Sequence, residues 1–253
     1  MSGHSKWSTI KRKKGAADVK RSALFTKLAK GIEVAARSGG GNPDLNFRLK
    51  LAIQKARSFN MPTSSMDKAI KKGTGEDKDA AQIDEVTYEG LGPNNVAIVI
   101  EAMTDNKNRT VAELRNIFNK AGATFGTPTA WQFDHRGILK VNKGKDVEAL
   151  ELLAIEAGAV DISDDGDSFE IATMPKELDK VRTDIETAGY QVLEAELGLV
   201  PKQHITITDP IVAQKVLNFL DSIEEHDDVG QVYSTLDVPD EVISKLSEWV
   251  ELS

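Results

Sequence analysis

The chain changes character near residue 76, and that change limits what it can fold into. Residues 1–75 hold 17 Lys and Arg against four acids, Asp18, Glu33, Asp44 and Asp67, a net charge of +13. Residues 76–253 hold 15 basic and 36 acidic residues, a net charge of −21. The hydrophobic period changes at the same place, from helical spacing before it to strand alternation after it. A polar stretch without an apolar face, residues 76–82 (EDKDAAQ), separates the two and reads as a linker. The whole-chain charge of −8 conceals this asymmetry, which points to a polyanion as partner of the basic part.

Within the basic part, the densest run is the first 21 residues, MSGHSKWSTIKRKKGAADVKR. Lys6, Lys11, Arg12, Lys13, Lys14, Lys20 and Arg21 stand there against Asp18 alone. No apolar periodicity crosses residues 1–14, so the run is an arm rather than a core element. Trp7 inside it either stacks on an unpaired base or pins the arm to the first helix. Leu24, Leu28, Ile32, Ala35 and Ala36 then make one helical stripe over residues 16–37, with Lys27, Lys30 and Arg37 off it. Ser38 and three glycines end that helix. Asn42 as cap and Pro43 at the first helical position open a second, whose apolar face is Leu45, Leu49, Ala52, Ile53 and Ala56. Met66, Ala69 and Ile70 mark a short third helix over 63–72. The expectation is a basic helical domain, residues 1–75.

After the linker, residues 86–89 alternate as a strand, GLGPNN (90–95) is a turn cluster, and VAIVIEA (96–102) is a buried strand. A helix follows over 111–121, capped by Asn108 or Thr110, and AWQF (130–133) reads as a strand. Residues 137–199 give strand, helix, strand, an Asp165-Gly166 hairpin turn, strand, helix, strand. That β-α-β-β-α-β order is the ferredoxin-like pattern. Residues 203–235 supply a further β-α-β and a terminal helix spans 238–250. Because 83–135 lacks a partner helix, the reading is one discontinuous α+β domain, 83–135 plus 203–253, with 137–199 inserted into it. The fold class is therefore α+β in three domains.

Composition and motifs exclude most chemistry. There is no cysteine, hence no disulfide, thiolate nucleophile or zinc–cysteine site. His4, His135, His204 and His226 show no metal-ligand spacing. The acids Asp161, Asp164, Asp165 and Asp167 lack the twelve-residue calcium-loop spacing and read as a solvated turn. No glycine stretch has phosphate-loop or dinucleotide form, and no nucleophile elbow is present. The expectation is a non-enzyme with no cofactor, no metal and no small-molecule substrate. With no long apolar run and no signal-peptide h-region, the expectation is a cytoplasmic protein with no membrane partner. The polar segment TDNKNRT (104–110) is either a capped strand-to-helix turn or a site where a partner meets the strand ends.

These stretches taken together resemble the YebC family. GHSKW (3–7), KRKKGAADVKR (11–21), LFTKLAKGIEVAARSGGGNPDLNFRLKLAIQKARSFNMP (24–62) and AIKKGTGE (69–76) carry the likeness. So do YEGLGP (88–93), TDNKNRT (104–110) and, more loosely, GTPTAWQFDHRG (126–137), after which it fades. The family's usual Gly-Ser-Val before the aromatic-x-Phe is replaced here by Gly126-Thr127-Pro128-Thr129. The resemblance implies a helical domain and two α/β domains, one inserted in the other, and a regulatory role linked to nucleic acid. Bacterial members are commonly described as DNA-binding transcriptional regulators. A mitochondrial relative is a translational activator of cytochrome c oxidase subunit I, and some bacterial members are linked to ribosomes and to relief of stalling at proline-rich sequences.

The reading adopted from the sequence is a translation factor that meets ribosomal RNA or the ribosome through the basic domain. No Arg/Asn/Gln-rich recognition helix stands out, and an acidic body beside a basic head suits a crowded ribonucleoprotein. The alternatives are a DNA-binding transcriptional regulator and an acidic protein-interaction module localised by the basic domain. The expected contact residues are Lys6, Lys11, Arg12, Lys13, Lys14, Lys20, Arg21, Lys27, Lys30 and Arg37. Nothing in the sequence sets the oligomeric state.

Overall fold

The computed structural model describes residues 17–77, 81–144 and 146–251. Three helices open it: α1 (Ala17–Gly39), α2 (Phe47–Ser58) and α3 (Thr63–Gly73). Their shared core is Ile32, Ala35 and Ala36 from α1, Leu49, Ile53 and Ala56 from α2, Met61, and Met66 and Ala69 from α3. The backbone of α3 comes very close to α1 at Gly73, where a Cβ would run into the Glu33 carbonyl and the Ala36 methyl. Only glycine allows that approach.

The second helix starts four residues later than the pattern suggests. Asn42-Pro43-Asp44-Leu45 forms a turn, with Asn42 Oδ1 accepting from the Asp44 amide at 3.0 Å. Leu45 is left 84% exposed and takes no part in the apolar face. The cap is Asn46, and it serves two helices. Its Oδ1 accepts from the Leu49 amide at 3.1 Å. Its Nδ2 donates to Ala35 O and to Gly40 O, both at 2.8 Å, satisfying carbonyls at the end of α1.

The α+β part of the same compact unit comprises β1 (Asp84–Leu91), β2 (Ala97–Thr104), α4 (Lys107–Ala121) and β3 (Thr124–Phe125). The residues after 202 complete it with β8 (Ile205–Thr206), α7 (Pro210–Glu224), β9 (Val229–Ser234), β10 (Leu236–Asp237) and α8 (Asp240–Glu251). The sheet runs β3-β1-β2-β9, antiparallel throughout. Strand β2 is an inner strand, buried except at the half-buried Glu101 and Met103, which explains its near-continuous apolar sequence. Ile98 and Ile100 face Leu114 and Phe118 of α4 and Val216, Leu217 and Leu220 of α7 within one core. Phe118 meets Phe125 and Phe219 edge-on, with centroids 5.3 and 4.9 Å away. Helix α1 lies against β2 and β9.

Residues 133–202 form the other compact unit. It holds β4 (Phe133–Asn142), α5 (Val147–Ala157), β5 (Ala159–Asp165), β6 (Ser168–Thr173), α6 (Leu178–Thr187) and β7 (Val192–Pro201). The sheet order β5-β6-β4-β7, fully antiparallel, is that of a ferredoxin-like domain. Leu139, Val141, Phe169 and Ile171 from the strands are buried, as are Leu150, Ala154, Val181 and Ile185 from the helices. The β5–β6 turn is made at Gly166, whose φ of +73° suits glycine.

One expected strand is absent. AWQF divides into a 3-10 turn, Ala130–Gln132, and the first residue of β4. The amides of Thr129 and Ala130 are taken by the Glu89 carboxylate, the second at 2.6 Å, so they are not available to a sheet ladder. The two-residue β3, which lies against β1 instead, gives no signal in the sequence.

Candidate nucleic-acid interface

Lys6, Lys11, Arg12, Lys13 and Lys14 lie outside the described residues, as does Trp7. Lys20 falls in the first turn of α1, with its side chain also outside them. Arg21 is exposed, its guanidinium 5.7 Å from the centre of the Phe25 ring. An arginine held over a ring keeps its charge available to solvent.

The other three expected contact residues are occupied within the molecule. Lys27 Nζ donates to the Glu224 carbonyl at the end of α7, and burial lowers its pKa. Lys30 Nζ donates to the Asp227 carbonyl at 3.1 Å and pairs with Asp228 Oδ1 at 2.7 Å. Arg37 donates to the Ile83 carbonyl, ahead of β1, and pairs with Glu33 at 3.2 Å. Glu33 is itself buried, which raises its pKa, while Arg37 and Lys72 act in the opposite sense. From α2, Arg48 makes a two-pronged pair with Glu85 of β1. Four cations thus fasten the helical domain to the acidic body.

Asp228 is the centre of this junction. Its side chain is 4% exposed. Arg109 Nη2 pairs with its Oδ2 at 2.9 Å, and the Thr110 hydroxyl donates to the same oxygen at 2.8 Å. The Thr104 hydroxyl lies 3.1 Å from it. Burial alone would raise the Asp228 pKa, but hydrogen bonds from Arg109, Lys30 and Thr110 outweigh it and hold the carboxyl well below the usual range.

The segment TDNKNRT therefore has a defined internal role. Asn106, not Asn108 or Thr110, caps α4, accepting from the Arg109 amide at 3.1 Å. Thr110 does not serve as cap because its hydroxyl is directed at Asp228. Thr104 Oγ1 accepts from the Asn106 amide at 2.9 Å, and Arg109 also pairs with Asp105 at 2.9 Å.

Glu113, His226 and Asp228 bring ligand atoms within 4.8 Å of one another. The histidine's lone pair is already used: Nδ1 accepts from the Asp228 amide at 3.1 Å, and Nε2 lies 2.8 Å from Glu113. Nε2 therefore carries the hydrogen, and Asp228 is saturated by cations and hydroxyls. The group is a hydrogen-bond network rather than a metal centre.

Besides Arg48, which is exposed but paired with Glu85, the exposed cations of the described helical domain are Arg21, Arg57, Lys68, Lys71 and Lys72. The last four are absent from the contact set expected from the sequence. Helical spacing was the available signal, since Lys68, Lys71 and Lys72 sit opposite Met66, Ala69 and Gly73.

A cationic helical domain fastened to an acidic α+β body, with a ferredoxin-like unit inserted in the chain, defines a distinct class of three-domain protein. Residues 5–76 match the model described as the TACO1/YebC protein N-terminal domain, and residues 83–236 that of the TACO1/YebC second and third domain. The chain belongs to the TACO1/YebC family. It is 48% identical to a "probable transcriptional regulatory protein" of Desulforapulum autotrophicum, covering 96% of this chain and 98% of that one. A protein of the same description from Desulfotalea psychrophila is 47% identical, covering 98% and 100%. A crystal structure of a conserved hypothetical protein from Aquifex aeolicus superposes with a TM-score of 0.81 at 38% identity, covering 89% of this chain and 93% of that one. Among the described residues, no helix is long and apolar enough to cross a membrane.

Proposed function

We propose that this protein is a non-enzymatic regulator of gene expression that binds RNA of the translation machinery through its basic N-terminal 75 residues. The observation that carries the reading is the confinement of a +13 charge to that segment of a chain whose remainder is −21. Such a surface binds by releasing counterions from phosphates, with little dependence on sequence. The acidic body is repelled by the same phosphates, so the chain meets nucleic acid with one end.

Reading bases in a DNA major groove calls for a helix face offering Arg, Asn or Gln. The exposed face of α3 offers Ser64, Asp67, Lys68, Lys71 and Lys72 instead. Lysines of this kind position a protein on phosphates. The second reading, a DNA-binding transcriptional regulator, is favoured by the descriptions given to the relatives.

The two separate in a binding titration on three probes: ribosomal RNA, a random DNA duplex and a duplex from the protein's own promoter region. The proposal expects RNA to bind tightest and the two duplexes to differ little. A promoter duplex bound about a thousandfold tighter than random DNA, with RNA no better than random, establishes the transcriptional reading instead.

A further inference from the structure

We infer that the outward face of α3, Lys68, Lys71 and Lys72, is a phosphate-binding patch for structured RNA. The inference rests on the RNA reading above and assigns it a surface. Helix α3 buries Met66, Ala69 and Gly73 toward α1, with the Gly73 backbone close against Glu33 and Ala36. Its opposite face therefore points outward. Positions 68, 71 and 72 follow the i, i+3, i+4 spacing that places side chains about 5–6 Å apart on one face.

Two sets of the domain's cations differ in what they touch. Lys27, Lys30, Arg37 and Arg48 each meet a carboxylate or carbonyl of the acidic body or of α1. Among the described residues, Lys68 and Lys71 have no acidic partner and Lys72 acts on the Glu33 carboxylate from a distance without forming an ion pair, and all three are exposed. Asp67, also exposed, stands one turn before Lys71 and is the one carboxylate of this helix. Lys71 and Lys72 lie in the last turn, where a cation also favours the helix dipole. Lys68 lies a turn earlier, where that effect has faded, so the dipole does not account for the trio.

The test is fluorescence anisotropy of the full chain on a labelled ribosomal RNA hairpin across a salt series. The triple variant K68Q/K71Q/K72Q should weaken binding by about tenfold or more near physiological salt and lower the log–log salt slope by about two. D67N should tighten binding a few-fold, roughly the effect of one neighbouring charge, a gain that damage to the fold cannot mimic. A triple variant that binds as the wild type does, with a lowered Tm, means that the lysines serve the helix alone and overturns the patch. Wild-type protein that binds no RNA at any salt overturns the RNA reading itself, and the patch with it.

Discussion

Lys30 Nζ and Asp228 Oδ1 lie 2.7 Å apart although 198 residues separate them in sequence. The pair couples the first helix to the turn before β9. Because Arg109, Thr104 and Thr110 converge on the same carboxylate, it also couples both to the start of α4. Part of the positive charge that marks the basic domain therefore holds the molecule together, and part stays exposed on its surface.

Removing the carboxylate leaves two cations facing each other at the junction. Asp228→Asn should cost about 3–5 kcal/mol, as for a buried pair that loses one member. Denaturant unfolding of both proteins at neutral pH measures it. A loss below about 1 kcal/mol, the range of exposed pairs, contradicts the network's structural role.

The same contact sets a pH dependence. The folded pKa of Asp228 is depressed relative to the unfolded chain. Its contribution is therefore complete above the unfolded value, about 3.9, and declines as pH falls below it toward the folded value. The stability difference between wild type and Asp228→Asn should be flat from neutral pH down to about 4–5 and then narrow. A gap that narrows between pH 8 and 6 would falsify this assignment.

Asn46 is predicted to matter through both of its side-chain atoms. Asn46→Ala should cost about 1–3 kcal/mol, from a lost cap and carbonyls left without donors. Asn46→Asp keeps the acceptor toward Leu49 but has no donor for Ala35 and Gly40, so it should be destabilising as well. Thermal melts that place Asn46→Asp level with wild type would show that only the cap counts.

The contact at Gly73 gives a sharper case. Gly73→Ala usually favours a helix interior, but here the new methyl meets the Glu33 carbonyl and Ala36. Overpacking should lower stability by about 1–3 kcal/mol. Leu45→Ala, by contrast, removes a large apolar side chain that is exposed and should shift stability by no more than about 0.5 kcal/mol.

The fold class was legible because its signals are local. The 3.6-residue stripe through Ile32, Ala35 and Ala36, the apolar run of β2, and the Asp165-Gly166 turn between β5 and β6 each declare an element within a few residues. The cap of α2 was misplaced because Asn42-Pro43 is as good a start signal as Asn46. What decides between them is the pair of α1 carbonyls that Asn46 reaches across the bundle. AWQF looked like a strand because its alternation is genuine, while the Glu89 carboxylate that claims the neighbouring amides lies about 40 residues away. Spacing could place the lysines of α3 outward but could not tell which cations the acidic body engages. Lys27 and Lys68 are both lysines off an apolar stripe, and only the tertiary structure places an acidic turn against the first while leaving the second exposed.

On the proposed reading these cations have two separate duties. The most direct measurement compares two variants, K27Q/K30Q and K11Q/R12Q/K13Q/K14Q, in parallel for melting temperature and for affinity to ribosomal RNA. The first should melt several degrees below wild type, as expected for a loss of about 1–2 kcal/mol in a chain of this size, and bind RNA about as tightly as wild type. The second should melt with wild type and lose RNA affinity by about tenfold or more at physiological salt. The opposite outcome, with the Lys27/Lys30 variant stable but unable to bind and the arm variant binding normally, contradicts that division of duties.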